Sequence, residues 1–303
     1  MTSAISARAV IRLAEEVATA LAERRAVVAL ETTLVAHGFP AADGVAVGLE
    51  SERRIRAAGA VPATVGVIDG EIRVGLTETE LERFTLDARK VGPRDLAACA
   101  VQRATGATTV GGTLAVARAA GIRFMGTGGL GGVHRGFPAP PDVSADLGEV
   151  VRTRALVVSS GVKSILDVPS TAELLETLGV PVLGFRTDDL PLFYAAHGGP
   201  PVSARVESAQ EAALVARAHW RLGRHTSVVL ARPAEDSLDD VEPLIEQALA
   251  AAHEQGVTGQ GVTPFVLSYL HRESGGRTLA ANRELIAANA QLASEVAVAY
   301  AAL

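Results

Sequence analysis

The sequence predicts an α/β fold: a single-domain α/β/α layered arrangement with a largely parallel central sheet. Three observations carry this. Short β-rich runs alternate along the chain with longer helical patterns. Runs such as Ala26-Val27-Val28-Ala29-Leu30 and Ala155-Leu156-Val157-Val158 are apolar throughout, as buried strands are. Of the 303 residues, 48% are hydrophobic but only 4% aromatic, the Ala/Val/Leu-rich balance of an α/β enzyme. One domain spanning 1–303 is expected, with no internal repeat or linker.

The elements follow in order. Residues 8–24 read as an amphipathic helix, followed by a strand at 26–30. Gly38 and Pro40 punctuate the next loop, and 43–58 reads as a helix that Gly59 ends. Strands at 64–68 and 71–76 flank Asp69-Gly70, a pair suited to a type I′ hairpin turn. Helical segments at 77–88 and 94–103 precede a strand at 122–125, which runs into the most glycine-dense stretch of the chain. Strands at 155–158, 182–185 and 227–231, a helix at 206–222, and long helices near 240–254 and 279–302 complete the pattern.

Composition excludes several function classes. A net charge of −6 leaves no electrostatic footprint for nucleic acid or an anionic membrane. The single cysteine, Cys99, rules out a disulfide framework or a thiolate-rich zinc site, and its apolar setting suits a core residue. No apolar run is long enough to span a bilayer, and glutamates at 15, 16 and 23 do not suit a signal peptide, so a cytoplasmic protein is expected.

Only two of the 28 Lys+Arg residues are lysine, Lys90 and Lys163. Arginine supplies nearly every surface cation, so the two lysines mark places where guanidinium fails. A desolvated amine can lose its proton and act as nucleophile or base, which guanidinium cannot. Lys163 follows an apolar strand within Ser159-Ser160-Gly161-Val162-Lys163-Ser164, unlike a solvated face. Its S-x-x-K spacing also matches serine acyl-enzymes, but the companion K-T-G motif is absent.

Gly126-Thr127-Gly128-Gly129-Leu130-Gly131 has dinucleotide-loop spacing, yet the Gly/Pro-rich segment after it cannot open the helix such a loop needs. What remains is a flexible loop whose bare amides could approach an anion, with Thr127, His134 and Arg135 adding hydrogen bonds. A sharp chain reversal would explain one or two of these glycines, but hardly Gly126, Gly128, Gly129, Gly131, Gly132 and Gly136 in one loop beside three polar side chains. Asp142-Val143-Ser144-Ala145-Asp146 offers Ser144 as a helix N-cap, or two carboxylates as oxygen ligands for a hard divalent ion; spacing alone supports both. Glu31 stands directly after a strand, where α/β sheets bind ligands, with His37 in the same loop. It reads as a proton donor or as an exposed strand-end carboxylate.

Together these residues resemble the pseudouridine-5′-phosphate glycosidase family, related to indigoidine synthase A proteins. The matching segments include Ala29-Leu30-Glu31-Thr32-Thr33, Gly66-Val67-Ile68-Asp69-Gly70, Lys90 with Arg94-Asp95-Leu96, and Thr127 through Gly136. They continue through Asp142 to Leu147, Gly161 to Asp167, Thr263-Pro264-Phe265, and Asn282 with Asn289-Ala290. The chain departs at Gly92-Pro93, at Ser159-Ser160, where Cys-Ala is usual, and at Ala231-Arg232-Pro233, where Asn-Pro is common.

The resemblance implies reversible cleavage of the C–C glycosidic bond of pseudouridine 5′-phosphate to uracil and ribose 5-phosphate. It implies Lys163 as nucleophile at C1′ and Glu31 as proton donor. Asp142 would bind Mn²⁺, with Mg²⁺ as the other candidate. Lys90, Val110, Ser144, Ala145 and Asp146 would contact substrate, with Thr127, His134 and Asn289 counted beside them. The implied fold is α/β/α and the implied assembly a homotrimer. An aldolase-like lyase sharing the imine lysine, and a non-catalytic accessory protein of pigment biosynthesis, are the alternatives. Burial and a nearby Lys90 ammonium are expected to help Lys163 become a free amine.

Overall fold

A computed structural model of the protein describes residues 11–135, 142–238 and 240–303. The chain opens with β1 (Ile11–Leu13) and α1 (Glu15–Ala22), followed by β2 (Val27–Glu31), α2 (Thr33–His37) and α3 (Ala41–Ala57). Residues 8–10 of the expected first helix lie outside the described residues. Its start at Ile11 is instead a strand, since Ile11 and Leu13 pack at strand spacing beside the hairpin. That hairpin forms as expected from β3 (Val61–Ile68) and β4 (Glu71–Val74), with Asp69 at φ 51° and Gly70 at φ 83°.

The expected helix at 77–88 is only one turn, α4 (Glu78–Leu81), started by a Thr77/Glu80 capping box. Leu81 and Phe84 are buried but Leu86 is 67% exposed, so there is too little apolar face to hold twelve residues. The chain runs instead into β5 (Arg89–Val91), then α5 (Leu96–Val101). Between 103 and 122, where the sequence pattern marks nothing, it forms β6 (Gly106–Thr108) and α6 (Val110–Ala120). Thr109 caps α6 and Gly121 ends it in the left-handed region.

Next come β7 (Phe124–Gly126), β8 (Val133–His134), α7 (Ala145–Arg152), β9 (Leu156–Ser159), β10 (Leu166–Asp167), α8 (Val168–Thr177) and β11 (Val182–Phe185). The remainder is β12 (Ala204–Val206), α9 (Ala209–Arg221), β13 (Val228–Ala231), α10 (Glu242–Glu254), α11 (Val262–Glu273) and α12 (Arg277–Ala301).

Among the described residues, eleven strands form one sheet, with β1-β4-β3-β2-β7-β9-β13-β11-β12 in line and β6, then β5, attached to β3. Pairing is parallel except where β4 and β6 meet β3. Period 2 sends successive side chains to opposite faces. Val27 and Ala29 join a core with α1, α6, α7, α8 and α10, while Val28 and Leu30 join one with α3, α9 and α12. Both faces are therefore covered, which is why the strands read as unbroken apolar runs. Cys99 lies in the first of these cores, fully buried. No helix among the described residues is long and apolar enough to cross a membrane.

This topology fixes where the site lies. From β2 the chain moves outward to β3; from β7, its neighbour on the other side, it moves to β9. At such a reversal, adjacent strand ends lead their loops apart and leave a crevice at the carboxyl edge.

Candidate active site

Glu31 is the last residue of β2 and opens onto that crevice. It is 5% exposed and accepts hydrogen bonds from Thr127 Oγ1 on Oε1 and from Thr33 Oγ1 on Oε2, both at 2.5 Å. Thr127 follows β7 directly, so two neighbouring parallel strands place acid and donor side by side. Burial pushes the Glu31 carboxyl above the usual carboxylate range; the Lys163 ammonium and the two threonine hydroxyls pull it down, and Asp146 pushes it up.

Thr33 Oγ1 is also 2.6 Å from the Thr108 carbonyl oxygen. A hydroxyl has one hydrogen to give. A protonated Glu31 can donate to Thr33, which then donates to Thr108. An ionised Glu31 takes the Thr33 hydrogen and leaves that contact unfilled. The hydroxyl serves both protonation states, and the neutral one completes the chain.

Lys163 stands in the loop between β9 and β10. Gly161, at φ 77°, turns this loop tightly against Pro191; a Cβ there would fall 2.0 Å from the Pro191 carbonyl oxygen. The backbone is then pinned to the glycine loop by Leu130 N to Gly161 O at 3.0 Å and Lys163 N to Leu130 O at 3.1 Å. Lys163 is half-buried, and its charge is felt at Glu31, Lys90 and His134.

Lys90 projects from β5, an element the sequence pattern did not mark. Burial, then the Lys163 ammonium, bring it down to about 8, against the pull of Asp146 and Glu31. The two lysines of the chain therefore face one site. Replacing Lys163 by methionine is expected to raise the Lys90 titration toward the ordinary lysine value, measurable by NMR of the labelled Nζ. An unmoved Lys90 would refute the coupling.

The Asp142–Asp146 segment divides its work. Ser144 does cap α7, accepting from Asp146 N at 3.2 Å. Asp146 is 4% exposed and accepts from Gly111 N at 2.7 Å and Gly131 N at 3.1 Å. A Cβ on Gly131 would meet Ser144 Oγ at 2.3 Å and Asp146 Oδ2 at 2.5 Å, so glycine is needed for this approach. Asp142 is half-exposed, with Oδ2 3.7 Å from His134 Nδ1. Burial lowers the His134 pKa; Asp142 raises it, while Lys163 and Lys90 lower it.

Glu31, Lys90, His134, Asp142, Ser144, Ala145, Asp146 and Lys163 all line one cavity of about 380 Å³. The sequence reading marked these residues, and the fold gathers them. Three others stand outside the wall. Val110 is fully buried in the first turn of α6, where the wall is its neighbour Thr109. Thr127 and Asn289 sit beneath, with Asn289 Nδ2 donating to Thr127 O at 2.9 Å and Ser160 Oγ at 3.0 Å. The arrangement supports Glu31 and the strand ends from behind.

Part of the glycine loop is committed within the protein. The amides of Leu130, Gly131 and Val133 donate to Gly161 O, Asp146 Oδ2 and Thr171 Oγ1, so they are not presented to an anion. Its glycines serve close packing: Gly129 lies against Phe193 and Lys163, and Gly132 against Thr171. Arg135 donates to the Ser164 carbonyl at 2.7 Å and pairs with Glu242, away from the site. Gly136 lies outside the described residues. A larger, mostly apolar hollow of about 940 Å³ adjoins Arg135 and Tyr194 but holds neither Glu31 nor either lysine.

Sequence reasoning missed Thr109 and, as site residues, Arg94, Asp95, Thr263 and Pro264, which also line the cavity. The signal for α11 is the helical spacing of Val262, Phe265, Val266, Tyr269 and Leu270, with the Thr-Pro pair in its first turn. Among the described residues no three His, Cys, Asp or Glu side chains are grouped to hold a metal. One half-exposed carboxylate lining the cavity still suits Mg²⁺ or Mn²⁺, hard ions that keep most of their waters and take one or two protein carboxylates. Asp142 fits that description, whereas Asp146 is committed to two backbone amides.

The chain matches the family described as indigoidine synthase A like protein over residues 16–299. It is 46% identical to the pseudouridine-5′-phosphate glycosidase of Herpetosiphon aurantiacus over 293 residues, 95% of this chain and 97% of that protein. The corresponding glycosidase of Streptomyces griseus is 48% identical over 296 residues, covering 95% and 92%. Among solved structures, the prealnumycin C-glycosynthase in complex with ribulose 5-phosphate superposes with a TM-score of 0.87 at 41% identity, covering 97% of both chains. An indigoidine synthase A-like protein from Thermotoga maritima gives a TM-score of 0.86 at 36% identity, covering 95% and 96%.

Proposed function

The chain belongs to the indigoidine synthase A-like family, and on that premise we propose that it is a pseudouridine-5′-phosphate glycosidase. It reversibly cleaves the C–C glycosidic bond of pseudouridine 5′-phosphate to give uracil and ribose 5-phosphate. The observation that carries this reading is the convergence of a buried carboxylic acid, Glu31, and both lysines of the chain on one cavity. The pentose phosphate bound to the C-glycosynthase relative supports the same substrate class.

A carbon–carbon glycosidic bond lacks a good leaving group, since uracil would depart as a carbanion. An amine that captures C1′ changes that. Glu31 protonates the ring oxygen as Lys163 Nζ bonds to C1′, so the C1′–O bond breaks and the sugar opens. A proton then reaches C5 of uracil. The C1′–C5 bond breaks as the lysine nitrogen lone pair forms an imine with C1′, and uracil leaves neutral. Water returns the imine to free amine and ribose 5-phosphate.

Burial keeps a proton available on Glu31, and the Thr127 and Thr33 hydroxyls fix its orientation. Lys90, cationic below about pH 8, supplies a charge for a substrate oxygen. When bound at Asp142, a divalent ion would supply positive charge for substrate oxygens.

Turnover of pseudouridine 5′-phosphate with added Mn²⁺, followed by uracil release, tests the assignment; no uracil above background refutes it. Asp142→Asn is expected to weaken Mn²⁺ binding about tenfold or more, since a neutral amide replaces the one charged ligand. Electron paramagnetic resonance of free Mn²⁺ reads this without substrate, and unchanged binding would remove Asp142 as the ligand. A homotrimer in the cytoplasm belongs to the same reading, and light scattering on the eluted protein tests the assembly.

A further inference from the structure

We propose that His37 is a further specificity residue: its neutral imidazole accepts a hydrogen bond from a ribose hydroxyl of the substrate, the 2′ or the 3′. This deepens the glycosidase reading above and rests on it. His37 ends α2, four residues after Thr33, so the two share one face of that turn. Both line the substrate cavity with Glu31 and Lys90. His37 takes no part in the proton and bond transfers of the mechanism.

The fold settles where the ring carries its hydrogen. Nε2 lies 3.1 Å from the Ala88 carbonyl oxygen, which can only accept, so Nε2 is the donor. In the neutral ring Nδ1 then holds a lone pair on the other side. No hydrogen bond to Nδ1 forms among the described residues, and Nδ1 is not one of the buried polar atoms lacking a partner. It is therefore an accessible acceptor on a residue of the cavity wall. Burial, then the Lys90 ammonium, lowers the His37 pKa, while the Ala88 carbonyl raises it; the net effect keeps the ring neutral at pH 7.

Chemistry selects the partner. A pentose phosphate brings hydroxyl donors that need acceptors once they leave water. The wall carboxylates are occupied: Glu31 by two threonine hydroxyls, Asp146 by two glycine amides, and Asp95 Oδ2 by the Gly92 amide at 3.0 Å. Asp142 faces His134. Place narrows the choice further. Both lysines act on the His134 charge, whereas of the two only Lys90 acts on His37. His37 therefore lies on the Lys90 side, away from the Lys163 amine, from C1′ and from the base that C1′ carries. One helical turn, about 5.4 Å, separates it from Thr33 beside the acid, which is the scale of a ribose ring.

A double-mutant cycle between enzyme and substrate tests this. Wild type and His37→Phe are compared on pseudouridine 5′-phosphate and on its 2′-deoxy and 3′-deoxy analogues, with uracil release read as kcat/KM. His37→Phe should lose about tenfold on the parent substrate, as for one hydrogen bond, mostly through KM. Removing the partner hydroxyl should then cost wild type about tenfold more than it costs the variant. A packing defect in the variant would slow all three substrates alike; a variant that discriminates against both analogues as wild type does overturns the proposal. A wild type that releases no uracil from the parent substrate overturns the glycosidase reading instead. Nitrogen-15 NMR of histidine-labelled wild type adds a check that no variant can spoil. In His37, Nε2 should be protonated and Nδ1 bare, and added ribose 5-phosphate should shift the Nδ1 signal. A protonated Nδ1, as for a cation held to the phosphate, or an Nδ1 that ribose 5-phosphate does not move, overturns the assignment.

Discussion

Lys163→Arg is expected to fold as the wild type does and to lose roughly 10⁴-fold or more in cleavage of pseudouridine 5′-phosphate. Arginine keeps the charge and most of the length, so the half-buried loop against Gly129 and the field at Glu31 are largely preserved. It does not give up a proton at any working pH and so presents no lone pair to C1′. The loss should fall on kcat, with substrate binding held within a few-fold, because the variant retains a cation beside Lys90. Single-turnover cleavage measures it, with a circular dichroism spectrum to confirm the fold. Activity within tenfold of wild type would remove the lysine nucleophile from the mechanism.

The second large effect is at Glu31. Glu31→Gln keeps the shape, accepts the Thr127 hydrogen bond through its amide oxygen, and has no proton to give. A loss of about 10²–10⁴-fold is expected, the span typical of a positioned proton donor. The pH behaviour should change too. Burial holds the folded-state pKa of Glu31 above its unfolded value, so the stability linked to its protonation is fully present below the unfolded value. That stability is lost as pH rises through the folded value. Glutamine has no such titration, so the variant should keep more of its stability on the alkaline side of that range while losing activity throughout. Melting temperature against pH, recorded beside kcat, checks both. A wild type whose stability is as flat as the variant's across that range would refute the protonated buried acid.

Helix and strand periodicity recovered the layered sheet and most of its central strands, because strands covered on both faces must be apolar throughout and that pattern survives in a single sequence. It failed at the edges and in short elements. β5, β6 and β12 have three residues each, too few to establish a period. The capping box at Thr77 began a helix that the apolar content could not extend. Composition shows that the backbone of the Gly126–Gly132 stretch is bare, not which side chains press against it; Phe193 and Thr171 do so here.

By itself the sequence determined the chemistry on offer: two lysines in an arginine-rich chain, a glutamate at a strand end, and a Ser-capped pair of aspartates. These depend on residue type and local spacing, which the order of residues states directly. Only the tertiary structure decided that both lysines share one cavity, that Asp146 spends its oxygens on Gly111 and Gly131, and that Asn289 lies behind the site. Those facts follow from where β5, α6, α7 and α12 are set around the strand ends of β2, β7 and β9. Contacts between residues far apart in the chain, 35 residues for Asp146 with Gly111 and 162 for Asn289 with Thr127, depend on how the elements are arranged, which leaves no local mark in a sequence.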